Sequence, residues 1–272
     1  MARLSVTLPT PSPFLRGPVG FEVVDVVFSA NGRKFSASAF LFDKDGTLIT
    51  FDHWFRVMAE RARRLERLFG LSSPEAMALR KFMGVERGED WGIIPLPRTE
   101  AEEATARFLA ELLGVPLTEA LPKVQKIFAE VDRDFPFENH LRPTPGAEEL
   151  LVRIKRAGGK VGVVTHDLAS AAQLHLRALG WEELVDVVVG LDLCPVKKPA
   201  PDPVLTACRL LGLSPAAGAM VGDTPMDLQA GRAAGCRASI GVLTGLGTPE
   251  DLAPHADALL SDLRGLEIES QK

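Results

Sequence analysis

From Pro143-Thr144-Pro145-Gly146 onward, amphipathic runs alternate with short apolar runs, and this alternation limits the available folds more than any other feature. Apolar periodicity predicts helices over Ala147–Ala157, Leu168–Leu179, Pro203–Leu211 and Leu228–Ala234. Between and after them, strands are predicted over Lys160–Val164, Val185–Val189, Ala219–Val221 and Ala238–Val242, with Leu259 and Leu260 as a candidate edge strand. Continuous apolar strands separated by helices are what a parallel sheet covered on both faces requires. The expected class is therefore α/β, with a doubly wound parallel sheet as the core. In such sheets a ligand sits beyond the carboxyl ends of the strands.

Upstream the pattern is different. Val23–Phe28 and Lys34–Phe42 read as two β runs joined at Asn31-Gly32, a strong hairpin signal. The Pro-rich segment before them reads as a loose arm. From Trp54 to Arg142 the periodicity is helical. Trp54–Phe69 places Met58, Leu65, Leu68 and Phe69 near one face and stops at Gly70. Ser73-Pro74-Glu75 reads as a helix start with Ser73 as N-cap. Thr99-Glu100-Ala101-Glu102 fits a capping box, and Thr118 opens a further helix through Val131. The organisation expected is an arm and hairpin over residues 1–34 packing on the core, a core built from 35–52 and 141–272, and an all-helical insert over 53–140.

Composition narrows the function classes. With 46% hydrophobic residues the chain has ample core material, and its net charge of −5 argues against a nucleic-acid surface. The basic runs Arg61-Ala62-Arg63-Arg64 and Arg153-Ile154-Lys155-Arg156 read as solvated helix faces. Three scattered cysteines, Cys194, Cys208 and Cys236, fit reduced thiols, not a disulfide framework. No apolar run approaches the roughly 20 residues of a bilayer span, and the first residues lack a signal-peptide core. The expectation is a soluble, cytoplasmic protein with no nucleic-acid or membrane partner; the pattern sets no oligomeric state.

The chemistry concentrates at strand ends. Phe40-Leu41-Phe42-Asp43-Lys44-Asp45-Gly46-Thr47 puts two carboxylates where an apolar strand meets a turn. Val163-Val164-Thr165, Lys197-Lys198-Pro199 and Met220-Val221-Gly222-Asp223 follow in order, each bordering an apolar run. An aspartate such as Asp43 can attack phosphorus and carry it covalently. Two anions meeting repel, so a bridging cation helps, and carboxylate oxygens suit Mg²⁺. Asp43, the carbonyl of Asp45 and Asp223 are the candidate metal oxygens. Asp45 can give and take the proton, while Thr165 and Lys198 can hold phosphate oxygens.

These segments resemble the haloacid dehalogenase-like hydrolase superfamily. Asp43-Lys44-Asp45-Gly46-Thr47, Thr165, Lys198-Pro199 and Gly222-Asp223-Thr224-Pro225-Met226-Asp227 match its motifs in order, from about Phe40 to the C-terminus. The resemblance implies Asp43 as nucleophile, Asp45 as acid and base, Thr165 and Lys198 as phosphate ligands, Asp43, Asp45 and Asp223 at the metal, and Asp227 supporting it. It implies Mg²⁺ as cofactor, a small phosphorylated metabolite as partner, and the helical insert as a C1-type cap. Arg142-Pro143-Thr144-Pro145-Gly146 looks like the family's return into the core. An acid at Asp45 separates the phosphatases and mutases from the dehalogenases. The mutase branch carries a hinge histidine about twelve residues after the nucleophile, where this chain has Phe55, with His53 two residues short. The chain looks most like a phosphoglycolate phosphatase; a sugar-phosphate mutase or a non-catalytic interaction module is the alternative.

Several residues keep a plainer reading beside these. Asp-x-Asp-Gly here lacks the Gly and Glu spacing of a calcium loop, and there is no P-loop. Lys197 and Lys198 compete for one role, with Pro199 favouring Lys198. His166 either touches substrate or is an exposed loop histidine, and Asp167 reads as the N-cap of the next helix. Arg87 and Arg98 either reach an anionic substrate or are solvated, and Trp54 and Phe55 read as packing in the insert or its hinge.

Overall fold

A computed structural model describes residues 24–85 and 91–269 of the chain. The N-terminal arm, the start of the first β run at Val23, and Arg87 lie outside the described residues. The hairpin forms where expected: β1 (Val26–Ala30) pairs antiparallel with β2 (Arg33–Ala37), and both turn residues, Asn31 and Gly32, have positive φ. Two positive-φ residues twist a tight turn the way the paired strands twist.

The run Lys34–Phe42, expected as one strand, is two. It breaks at Ser38, and β3 (Ala39–Phe42) joins a different sheet. The main-chain N–H of Ser38 donates to the Ala217 carbonyl at 2.7 Å, and its carbonyl accepts from Lys160 N–H at 2.8 Å. Those bonds start the parallel pairing on both sides of β3, so the hairpin cannot continue through it.

The segment from Ile49 to Pro143 is a compact unit of its own. It holds α1 (Asp52–Phe69), α2 (Ser73–Phe82), α3 (Arg98–Leu113) and α4 (Leu117–Asp134). Val57, Met58, Leu65, Leu79, Leu109, Val124 and Phe128 form its core. Leu68, expected on the inner face of α1, is exposed, and that face instead buries Arg61. The Arg61 guanidinium lies over the Phe128 ring at 4.1 Å and pairs with Asp132 at 2.5 Å, so this part of the basic run is not solvated. Three helix starts differ from expectation. Ser72, not Ser73, caps α2, closing a box with Glu75. Pro97 precedes α3, which takes in Thr99, and Glu102 pairs with Arg98 instead of capping. Pro116 precedes α4, one residue earlier than expected.

The second unit comprises residues 1–48 and 144–272. After β3 it continues through α5 (Ala147–Arg156), β4 (Lys160–Val164), α6 (Ala169–Ala178), β5 (Val187–Val189), α7 (Asp202–Leu211), β6 (Gly218–Gly222), α8 (Pro225–Ala234), β7 (Ala238–Val242), α9 (Pro249–Leu252), β8 (Ala258–Leu260) and β9 (Leu266–Ile268). Six strands make a parallel sheet in the order β5-β4-β3-β6-β7-β8. The chain winds outward from β3 in one direction, then returns and winds in the other, which is the doubly wound arrangement expected.

Every side chain of β3 is fully buried. Leu41 packs with Val204, Ala207 and Ala230 of α7 and α8, while Phe40, on the opposite face, meets Phe28 of β1 at 5.1 Å. The small sheet, ordered β2-β1-β9, thus packs against the core. Its third strand, β9, was not read in the sequence; three residues carry no measurable periodicity.

Candidate active site

Parallel register brings three strand ends level. Phe42 sits opposite both Val163 of β4 and Val221 of β6. One residue further on, Asp43 N–H donates to the Val221 carbonyl at 3.0 Å, and Thr165 N–H to the Val189 carbonyl at 2.9 Å. Asp223 follows Gly222, the last residue of β6. Asp43, Thr165 and Asp223 therefore leave the sheet along one edge, beside the point where the winding reverses.

Lys198 ties this edge together. Its buried ammonium donates to Asp43 Oδ1 at 2.6 Å and to the Val164 carbonyl at 2.8 Å, and pairs with Asp227 Oδ1 at 2.6 Å. Of the two candidate lysines, it is Lys198 whose ammonium meets Asp43. Burial alone would lower its pKa, but the carboxylates of Asp227 and Asp43 outweigh that and keep it charged. The other oxygen of Asp227, Oδ2, accepts from Thr224 N–H at 3.0 Å and Thr224 Oγ1 at 2.6 Å, a capping box that opens α8.

Asp223 is completely buried. Thr47 Oγ1 donates to its Oδ1 at 2.9 Å and Leu246 N–H to its Oδ2 at 2.9 Å. Gly247 N–H also reaches its main-chain carbonyl, at 2.9 Å. A Cβ at Gly245 would collide with the Asp223 carboxylate, so glycine is required for this loop to approach.

Oxygens of Asp43, Asp223 and Asp227 all lie within 4.8 Å of one another. Burial raises the pKa of Asp43 to about 7 against the pull of Lys198, and Asp227 adds to the rise. Burial, then Asp43 and Asp227, raises Asp223 well above the usual carboxylate range. Three carboxylates share one ammonium here, and the raised values of Asp43 and Asp223 mark too little positive charge to offset their burial. A hard divalent cation supplies that charge and prefers carboxylate oxygens, so the donor set fits one.

The carboxylate of Asp45 is not one of these three, although its charge also acts on Asp43. Its Oδ2 accepts from Lys44 Nζ at 2.5 Å, and the same ammonium pairs with Asp167 at 3.0 Å and lies 3.4 Å from His175 Nδ1. Lys44 is fully buried. The sequence reading gave it no role, nor Thr47 or the Gly245–Gly247 loop. Asp167 does not cap α6: Leu168 holds that position, and Asp192 Oδ1 accepts from Ala169 N–H at 2.7 Å. Thr165 Oγ1 accepts from Asp167 N–H at 3.1 Å, which leaves the hydroxyl proton available to an anion. Arg98 is committed within its own unit to Glu102 and Asp132.

Residues 37–235 match the family model described as haloacid dehalogenase-like hydrolase. The chain belongs to that family. This hydrolase is 28% identical over 245 residues to the N-acetylmuramic acid 6-phosphate phosphatase of Pseudomonas aeruginosa, covering 86% of this chain and 95% of the relative. It is 38% identical over 117 residues to a phosphoglycolate phosphatase of Xanthomonas campestris, covering 42% of this chain and 52% of that protein. Among solved structures, a predicted phosphoglycolate phosphatase from Haemophilus somnus superposes with a TM-score of 0.65 at 22% identity, over 83% of this chain and 94% of that one, and shares the fold.

Proposed function

We propose that this hydrolase is a phosphatase that cleaves a small phosphate monoester through an aspartyl-phosphate on Asp43. The observation that carries the reading is the cluster at the strand ends: Asp43 held by Lys198, with Asp223 and Asp227 within 4.8 Å. A nucleophilic carboxylate needs positive charge beside it, both to meet an anionic ester and to be ionised when it attacks. Lys198 supplies one such charge. Asp43, Asp223 and the main-chain carbonyl of Asp45 would hold Mg²⁺, with Asp227 supporting them, and the ion supplies further positive charge for the phosphate oxygens.

The steps follow from these roles. An Asp43 oxygen attacks phosphorus, and the ester oxygen leaves with a proton from Asp45. Asp45, now ionised, takes a proton from water as that water attacks the phosphoryl group. Inorganic phosphate departs, Asp43 regains its carboxylate and Asp45 its proton. Thr165 and Lys198 hold the equatorial oxygens throughout.

Hydrolysis is favoured over phosphoryl migration by the fate of His53. It is buried in α1 with Nδ1 donating to the Thr50 carbonyl at 3.0 Å, among Trp54 and Phe137, as a packed residue would be. The names of the relatives support phosphatase chemistry and make N-acetylmuramic acid 6-phosphate and phosphoglycolate the first esters to try.

The test is phosphate release from a panel of sugar and carboxylate phosphates, with and without Mg²⁺. Exhaustive chelation is expected to abolish release, and Asp43→Asn to lower it by several orders of magnitude, because uncatalysed monoester hydrolysis is among the slowest reactions known. Acid-quench trapping should put label from the substrate on Asp43. Label on another residue, or undiminished activity after chelation, would sink the assignment.

A further inference from the structure

We infer that His166 is a positioning residue for Lys198, an inference that rests on the proposed role of Lys198 as a phosphate ligand. The main-chain N–H of Lys198 donates to His166 Nε2 at 3.1 Å. His166 follows Thr165 at the end of β4, whereas Lys198 lies in the loop between β5 and α7. One imidazole therefore joins the two segments that carry the proposed phosphate ligands.

The Lys198 ammonium has three oxygens around it, on Asp43, Asp227 and Val164. Those contacts fix the tip of a long side chain but not the backbone from which it starts. The bond to His166 fixes that origin. It requires a ring whose Nε2 is an acceptor, so the proton must sit on Nδ1. A neutral ring is favoured here: burial and the neighbouring Lys198 charge lower the pKa to about 4, against a smaller opposing effect of Asp227. His166 thus acts on chemistry through Lys198, and is neither a substrate contact nor an idle loop residue.

The variants that test this differ in one property. In His166→Gln the amide oxygen reaches about as far as Nε2 and accepts a hydrogen bond, whereas His166→Met has similar length and no acceptor. Both are measured with p-nitrophenyl phosphate and with inorganic phosphate as inhibitor, in the unaltered chain and in a Lys198→Ala background. Losing the bond and loosening the lysine should lower kcat/KM about tenfold and weaken phosphate inhibition in His166→Met. His166→Gln should return most of it. In the Lys198→Ala background, His166→Met should cost nothing more, because residues acting as one unit are not additive. A glutamine as damaging as methionine, or a methionine loss undiminished in that background, overturns the inference. Full activity in Lys198→Ala alone instead overturns the phosphate-ligand reading beneath it. If Lys198→Ala fails to fold, hydrogen exchange at the Lys198 amide decides: protection kept in His166→Gln and lost in His166→Met supports the bond, and equal exchange in both overturns it.

Discussion

Lys44 stands between the two aspartates that the chemistry needs, and its ammonium is buried with Asp45, Asp167 and His175 around it. Breaking a buried ion pair by removing one partner leaves charge without compensation, which costs about 3–5 kcal/mol. Lys44→Met is therefore expected to lower stability by roughly 3 kcal/mol, the low end of that range because Asp45 and Asp167 keep some solvent contact. Urea denaturation checks this, and adding Asp167→Asn should recover part of the loss. His166 gives a pH dependence with a definite sign. Its folded pKa is about 4, below the ordinary value of 6.5, so between those values the unfolded chain binds a proton that the folded chain refuses. Stability from this group is thus present above pH 6.5 and lost as pH falls toward 4. His166→Gln should show a shallower fall in urea midpoint over that window; an unchanged slope counts against the neutral buried ring. At this scale the sequence displayed Asp43, Asp45, Thr165, Lys198, Asp223 and Asp227 because spacing and neighbouring strands expose acidic and basic residues to inspection. It did not display Asp167 and His175 around the Lys44 ammonium, or Gly245 as the residue that lets a loop reach Asp223, because those are contacts across long separations in the chain.

Two elements carry the same capping box in different surroundings. In α8, Thr224 and Asp227 close the box, and Asp227 also holds Lys198. In α9, Thr248 and Asp251 close an equivalent box on the exposed surface. Removing either threonine should cost about 1 kcal/mol of stability, the usual worth of an N-cap. Only Thr224→Ala should also raise the Mg²⁺ concentration needed for half-maximal activity, since it frees the carboxylate that faces the cluster. Equal metal dependence in Thr224→Ala and Thr248→Ala would show that the α8 box is only a helix start. Elements were legible where period and length were ample: β4 and β7 fall at the expected residues and α5 to α8 within a few, whereas the four-residue α9 was not read. Legibility failed where tertiary pairing overruled local pattern. The apolar run through Ser38 gives no sign of changing sheets, because the change is made by hydrogen bonds to Ala217 and Lys160. The start of α3 was misread because Glu102 has a better partner in Arg98 than in a backbone N–H.

At the scale of the molecule, every residue assigned to phosphate or metal lies in one unit, residues 1–48 and 144–272, although that unit is split in sequence by the other. The split costs the core little because the two chain ends that leave it are paired. Thr144 N–H donates to the Leu48 carbonyl at 2.9 Å and Thr144 Oγ1 to the Thr47 carbonyl at 2.5 Å. Just beyond, Ile49 bridges Pro143, and Thr50 N–H donates to the Arg142 carbonyl at 2.8 Å. Ends held side by side need only a short turn to close, and loop-closure entropy grows slowly with the length removed or added. Replacing residues 49–143 by a short Gly-Ser turn is therefore expected to leave a folded core that still binds Mg²⁺ and inorganic phosphate. A ligand that binds only the folded state raises its melting temperature. Calorimetry should then show the same direction of shift for the shortened core as for the whole chain. If the shortened core melts without cooperativity, or gains nothing from Mg²⁺ with phosphate while the whole chain does, the helical unit is part of the binding site and the assignment of all ligands to one unit fails.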